Sequence, residues 1–461
     1  MKKHLPGAII IAVLTVIILP FITKAQENDR EIYLRPSYWR PYDKRGINVF
    51  ETTKMEDTIP FTGPRVRFGA GFTQQFQNLT AENPGALNNG GSSVATAGGN
   101  KLYPLNPGFL TAMANLYTDF GLGDGIRLNL TTYLSSRHHN EAWVKGGYIQ
   151  FDKLPFKGQF WTDLMEVTTI KVGHMEINYG DAHFRRSDAG HALYNPFMES
   201  YIMDAFTTEI GGEVFLQKNG IFGMAAISNG MIKGNVDTAI VTEQDQNNNV
   251  NPSLYFKAGI DKNIQENLRV RLSGSYYTNS SSPGLTLYGG ERAGSHYQNV
   301  MERWVTGAGT PGAAVSSSTS IAFSGRFNPG FSKKVNAYML NGFLKAYGLE
   351  LFGTYEHAKG RSRNESTERK ASQYAIEGIY RMGPSENVYL GTRYNSVDAR
   401  LVGTTSDAHI NRLAFAAGWF VTKNLLLKGE YVTQKYKDFP VTDFRSGGKF
   451  DGYVIEAVVG F

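Results

Sequence analysis

The chain has no cysteine among its 461 residues. That excludes a disulfide framework, a thiolate metal site, a cysteine nucleophile and a lipid-bearing cysteine behind a leader. Long apolar runs are scarce too. A helical membrane bundle needs repeated stretches of roughly 18 or more apolar residues, and only Leu5 to Ile22 comes close, so a polytopic helical membrane protein is excluded. Beyond residue 25 no stretch sustains 3.6-residue apolar periodicity, which removes the helical folds. What the chain has instead is 51 glycines, 25 tyrosines and 28 phenylalanines.

The N-terminus reads MKKHLPGAIIIAVLTVIILPFITKAQ. Two lysines, an apolar stretch from Ala8 to Ile22, and small residues at Thr23 and Ala25 fit a secretory signal peptide over 1–25, cleaved after Ala25. Pro20 and the small-x-small ending speak against a signal anchor. Cleavage removes Lys2, Lys3 and Lys24 and no acid, so half of the formal charge of +6 leaves with the leader. Nucleic-acid binding thereby loses its compositional support. Residues 26–64, with Pro36, Pro41, Pro60 and Pro64 among charged and aromatic residues, read as a periplasmic lead segment that tucks into the barrel base, straps across it or hangs as a tail, because proline is poor in strand ladders.

From there the chain alternates with period two, segment after segment, each ending in Gly, Asn, Asp or Ser. Leu425, Leu427, Gly429, Tyr431 and Thr433 oppose Leu426, Lys428, Glu430 and Val432; Ile126, Leu128 and Leu130 oppose Arg127, Asn129 and Thr131. Soluble sandwich strands run about 5 to 6 residues, whereas these run about 9 to 12, the length a tilted strand needs to cross a bilayer. Lipid-exposed sheets must close. The fold expected over 65–461 is therefore an all-β, transmembrane antiparallel β-barrel. Seventeen segments alternate, and short internal turns against long external loops (77–108, 178–205, 230–252, 278–334) agree from both termini only if the weakest, 317–327, is dropped. The expected count is 16 strands, with 18 as the competitor, and a barrel of that size leaves an aqueous channel.

The chain ends GYVIEAVVGF, and this resembles the C-terminal strand by which outer-membrane barrels are recognised, which implies Phe461 as an assembly signal and the barrel assembly machinery as a partner. The stretches TIKVGHMEINYGDAHFRRSD at 169–188 and GIFGMAAISNGMIKG at 220–234 resemble two places in the phosphate-selective porin family of types O and P, although Asn178-Tyr179-Gly180 replaces that family's Pro-Phe-Gly. With RPYDKRGINVFET in the lead, the whole is similar to porin-like proteins of Bacteroidota. The resemblance implies a porin in the cell outer membrane of a Gram-negative bacterium.

Chemistry has few footholds. An outer-membrane lipase or protease needs a base within reach of a nucleophile or water; His138, His139, His174, His183, His191, His296, His357 and His409 supply imidazoles, with Asp181 and Asp188 nearby in sequence, but no motif. Asp245-Gln246-Asn247-Asn248-Asn249 lacks the ordered carboxylates of a calcium loop, and Gly121 to Gly125 is a turn rather than a phosphate cradle. Arg185-Arg186-Ser187-Asp188 could fork an anion but reads better as a self-paired loop. No catalytic residue, metal or cofactor is assigned, and a surface adhesin or scaffold barrel is the third alternative.

In a porin, selectivity comes from the bore, a constriction loop and the charges of the wet face. Alternation turns Arg67, Arg127, Lys171, Arg269, Arg271, Arg393, Arg412 and Lys428 inward, with Glu209 and Glu213 among the opposing acids. Near-balance predicts at most a mild anion preference, centred on Arg269 and Arg271 at the root of the 278–334 loop. The partners expected are outer-membrane lipid, small hydrophilic solutes and, in assembly, a homotrimer.

Overall fold

The computed structural model describes residues 39–52, 54, 60–85, 101–102, 104–134, 142–188, 190–238, 240–290, 296–302 and 325–461. The leader 1–25, residues 26–38, His138 and His139 lie outside them.

The strands in chain order are β1 (Arg65–Glu82), β2 (Gly108–Phe109), β3 (Met113–Gly123), β4 (Ile126–Leu134), β5 (Ala142–Phe151), β6 (Thr168–Glu176), β7 (Thr208–Lys218), β8 (Ile221–Ser228) and β9 (Ser253–Gln265). They continue with β10 (Leu268–Asn279), β11 (Lys334–Ala346), β12 (Leu349–Arg361), β13 (Arg369–Met382), β14 (Val388–Arg400), β15 (Asp407–Thr422), β16 (Leu425–Lys437) and β17 (Lys449–Gly460). From β3 onward each strand pairs antiparallel with its successor. β1 closes the sheet: Gly71 faces Gly460 and Glu82 faces Lys449 on one edge, while Arg65 faces Gly121 and Thr73 faces Met113 on the other. The two-residue β2 sits above β3 on that second edge, Phe109 opposite Phe76. The result is a closed antiparallel barrel of sixteen long strands and one short extra piece, the number that loop-length alternation predicts. Of the dropped run 317–327 only Gly325, Arg326 and Phe327 are described, and they are not strand.

One end carries both the start of β1 and the end of β17, and its connections are short except that between β5 and β6. The β7–β8 turn shows why: Asn219 and Gly220 have φ of 52° and 73°, the two left-handed residues of a type I′ hairpin, whose twist matches that of the strands. A Cβ on Gly220 would stand 2.5 Å from the Asp261 carbonyl oxygen. A single helix, α1 (Gln159–Met165), sits in the β5–β6 connection at this base end. No helix among the described residues is long and apolar enough to cross a membrane.

Alternation sorts the two faces. On β10, Leu272 and Tyr276 are 54% and 41% exposed, whereas Arg271, next to Leu272, is 1% exposed. Ringing the outside near the far end are outward tyrosines paired across strands: Tyr276 with Tyr338, Tyr355 with Tyr374, and Tyr431 with Tyr453. Nearer the base come Tyr380, Val388 opposite Trp419, and Phe461. Tyr374 and Tyr380 are six residues apart, about 20 Å along the strand, close to the roughly 25 Å apolar band between aromatic girdles of a membrane barrel. An exposed apolar belt of this kind is stable only against lipid, so the barrel spans a membrane.

Candidate functional site

The inward face is polar, and two chain segments fill much of it. The first is the β6–β7 connection, residues 177–207. The sequence places it outside; it does leave and rejoin the wall at the far end, but its body lies in the lumen, with Asp181, Ser187, Asp188, Asn195, Phe197, Met198, Glu199 and Ile202 all buried. The reason is that the wall offers charged donors to its backbone. Lys428 Nζ donates to the carbonyls of Ala192, Asn195 and Phe197 at 3.0, 3.1 and 3.0 Å, Arg412 to Ser200 O at 2.8 Å, and Arg393 to Glu199 O at 2.6 Å. A loop whose backbone polar groups are satisfied by the wall can be buried without penalty. Its apolar side chains, Phe197, Met198, Ile202 and Met203, then join the interior cluster with Tyr389 and Val454.

The second is the lead segment. Its described residues cross the base end as a strap: Lys44 N donates to Lys423 O at 2.8 Å, Tyr42 to Asp119 at 2.9 Å, Asn48 to Glu350 at 2.6 Å, and Lys54 to Thr168 O at 2.8 Å. Those partners stand on or beside β3, β6, β12 and the β15–β16 turn. Trp39 and Phe50 are buried, and Phe50 packs edge-on against Phe343 and Phe184.

The 278–334 connection contributes as well. Tyr288 donates to Glu356 at 2.8 Å, and His296 N donates to Glu199 at 2.9 Å, so its described part caps the β6–β7 connection from the outer side.

What stays open is a cavity of about 230 Å³ between these segments and the wall of β4–β7. Arg127, Tyr148, Lys171 and His174 line it from the wall, and Arg40, Tyr42, Glu51 and Thr52 from the strap. Lys145 lines it because of a bulge: Thr131 pairs with Gly146 and Thr132 with Val144, so the extra residue is re-aimed, as bulges do, and its ammonium reaches Asp188.

The charged residues that alternation assigns to the lumen are mostly engaged by partners rather than facing open water. Arg127 holds Asp119 at 3.4 Å and Gln150 at 2.8 Å. Lys171 pairs with Glu213 at 3.0 Å and stays 29% exposed. Arg67 stacks over Tyr42 at 4.3 Å, and Glu209 accepts from Tyr277 at 2.7 Å. Arg393, Arg412 and Lys428 hold the β6–β7 connection; Arg393 also pairs with Glu377 and Lys428 with Glu456. Arg269 pairs with Asp261 at 2.6 Å, and Arg271 with Asp181, Glu51 and Asp261. Arg269 therefore meets the strap, donating to Asn48 O at 2.9 Å, and Arg271 meets both the strap and the β6–β7 connection; among the described residues neither pairs with the 278–334 loop, and their charge is matched by acids.

Residues that sequence reasoning passed over are Arg40, Glu51, Lys145 and Thr52. One signal was available: Leu193, Tyr194, Phe197, Met198, Tyr201, Ile202, Met203 and Phe206 are too apolar for a connection lying in solvent.

The aspartates of the lumenal connection are held ionised. Burial alone would raise the Asp181 carboxyl, but Lys257 and Arg271 hold it well below the usual carboxylate range. Asp188 behaves likewise beside Lys145 and His191, and Asp204 beside Arg186 and Arg326. Burial lowers His183 and His191, so both imidazoles favour the neutral form.

For hydrolysis, His357 Nδ1 and Ser372 Oγ lie 2.7 Å apart on neighbouring strands, facing outward just beyond the tyrosine girdle. Among the described residues no carboxylate bonds that imidazole to orient it, as a triad needs. Among the described residues no cluster of three or more His, Asp or Glu side chains could hold a metal.

No family model matches the chain, and neither does any curated protein. Among solved structures the chain is similar to the anion-selective porin from Comamonas acidovorans, at 10% identity and a TM-score of 0.50, over 86% of this chain and 100% of that one. It is similar also to the outer membrane channel DcaP of Acinetobacter baumannii, at 11% identity and a TM-score of 0.50, over 87% of this chain and 98% of that one. At such identities the likeness is one of fold.

Proposed function

We propose that this protein is an outer-membrane porin through which small hydrophilic solutes diffuse passively, its base end toward the periplasm. The observation that carries the reading is the cavity against β4–β7: a charged recess inside a closed lipid-embedded barrel, constricted by an infolded connection. No chemistry is asked of the protein; bore and wall charge do the selecting. The two similar barrels are a porin and a channel, which agrees with it. Cleavage of residues 1–25, export through the periplasm, recognition of Phe461 by the assembly machinery and assembly into a homotrimer belong to the same reading, and so does its placement in a Bacteroidota outer membrane.

Selectivity in this reading is a mild anion preference, set at the cavity, where Lys171 stays partly exposed beside Glu213, rather than at Arg269 and Arg271, which lie among Asp261, Asp181 and Glu51. Single-channel recording of the purified protein in planar bilayers tests the function. Stable ohmic steps are expected; a silent, correctly folded barrel that cleaves lipid or peptide would favour the enzyme instead.

A further inference from the structure

We propose that the strap, residues 39–54, forms half of the channel constriction, so that a segment preceding the barrel sets the bore and the charge of the permeation path. This rests on the porin reading and goes beyond it, since porin function requires only the wall and an infolded loop.

Three observations carry the inference. The strap contributes Arg40, Tyr42, Phe50, Glu51 and Thr52 to the cavity lining, alongside the wall's Arg127, Tyr148 and Lys171. Its position is fixed by the barrel's own charges: Glu51 lies 2.9 Å from Lys257 and 2.7 Å from Arg271, the two cations that also grip Asp181 of the β6–β7 connection. One clasp thus seats strap and connection together. In the middle of the strap, Gly46 threads where a side chain could not: a Cβ there would lie 2.5 Å from Pro41 O and 2.6 Å from the Tyr194 ring.

The strap also supplies charge. Among the four lysines and arginines lining the cavity, Arg127, Lys145 and Lys171 each meet a carboxylate. Arg40 instead donates to the carbonyls of Gly46 and Phe184 at 2.9 and 3.0 Å and lies 4.0 Å over the Tyr194 ring. Carbonyls satisfy its hydrogen bonds without cancelling its charge, so Arg40 attracts anions toward the narrow region.

The absence of native cysteine makes the test clean. Thr52→Cys, reconstituted as a single channel and treated with a cationic methanethiosulfonate, should lose conductance by at least about twofold, because the adduct fills a small cavity in the path. Ser406→Cys, in the exposed β14–β15 connection, should label without a change in current. Arg40→Gln should move the reversal potential toward cation preference, and deletion of 39–54 should raise conductance. A conducting channel in which Thr52→Cys stays unlabelled, or labels fully with no change in current, overturns the proposal even if the deletion fails to assemble. A wild-type protein that does not conduct overturns the porin reading itself, a distinct outcome.

Discussion

Arg271 holds Asp181 through two parallel hydrogen bonds, Nε to Oδ2 at 2.8 Å and Nη2 to Oδ1 at 2.8 Å. The pair joins a wall strand to a connection that begins and ends some distance up the barrel. Because both groups are buried, removing one leaves the other charged and unmatched, which typically costs about 3–5 kcal/mol. Asp181→Ala should therefore loosen the β6–β7 connection. Open-channel noise and susceptibility of 178–205 to protease should rise, whereas Asp261→Asn at the rim of the cluster should do less. Equal noise in Asp181→Ala and wild type would mean that the clasp does not hold the connection.

Acid should loosen the same connection in two stages. His183 faces Asp181, Lys257 and Lys171, and His191 faces Asp188, Arg40 and Lys145. Their lowered values mean that the free connection takes up protons below about pH 6.5 while the packed one does not, so packing is strongest above that value and weakens as pH falls through it. The lowered aspartates act with the same sign: their contribution is complete above about pH 3.9 and is lost as pH falls further, through their packed-state values. Conductance noise should grow between about pH 6.5 and 5, and His183→Asn with His191→Asn should remove that stage alone.

Selectivity should respond to the Lys171 and Glu213 pair. Glu213→Gln leaves the Lys171 ammonium, already partly exposed in the cavity, without its counter-charge, and reversal potential in a salt gradient should shift toward anions. Arg269→Glu with Arg271→Glu is expected to act differently: it sets new carboxylates against Asp261, Asp181 and Glu51, so the effect should be noise and poor assembly before any simple change in ion preference. A clean shift toward cations with quiet channels would show that the acids do not hold those arginines.

Phe461 closes the barrel: its N donates to Ala70 O at 3.0 Å and its carbonyl accepts from Ala70 N at 2.8 Å, while its ring is exposed to the lipid boundary. Those bonds are backbone bonds and survive Phe461→Ala. The variant should therefore assemble in lower yield yet melt near the wild-type temperature on heat-modifiability gels; equal yield would remove the assembly role.

Orientation is open to labelling of intact cells. Single cysteines at Asn364 and Ser406, in far-end connections, should react from outside, and those at Asn219 and Ser385, in base-end turns, should not.

The barrel was legible in the sequence because alternation is a local property: a residue's side is fixed by its parity along the strand, and a single misplaced residue would turn Leu272 inward and Arg271 toward lipid. Strand number followed from loop length for a similarly local reason, since Asn219-Gly220 can only be a tight hairpin. Parity also assigned the ten charged residues to the lumen. It could not say what they would meet. Lys428 grips carbonyls at 192, 195 and 197, and Arg271 meets residues 51 and 181; such bonds join positions tens to hundreds of residues apart and leave no period behind. Which segment enters the lumen was decided only by tertiary structure, where buried wall cations need acceptors and the backbone of 177–207 and the acid of the strap provide them.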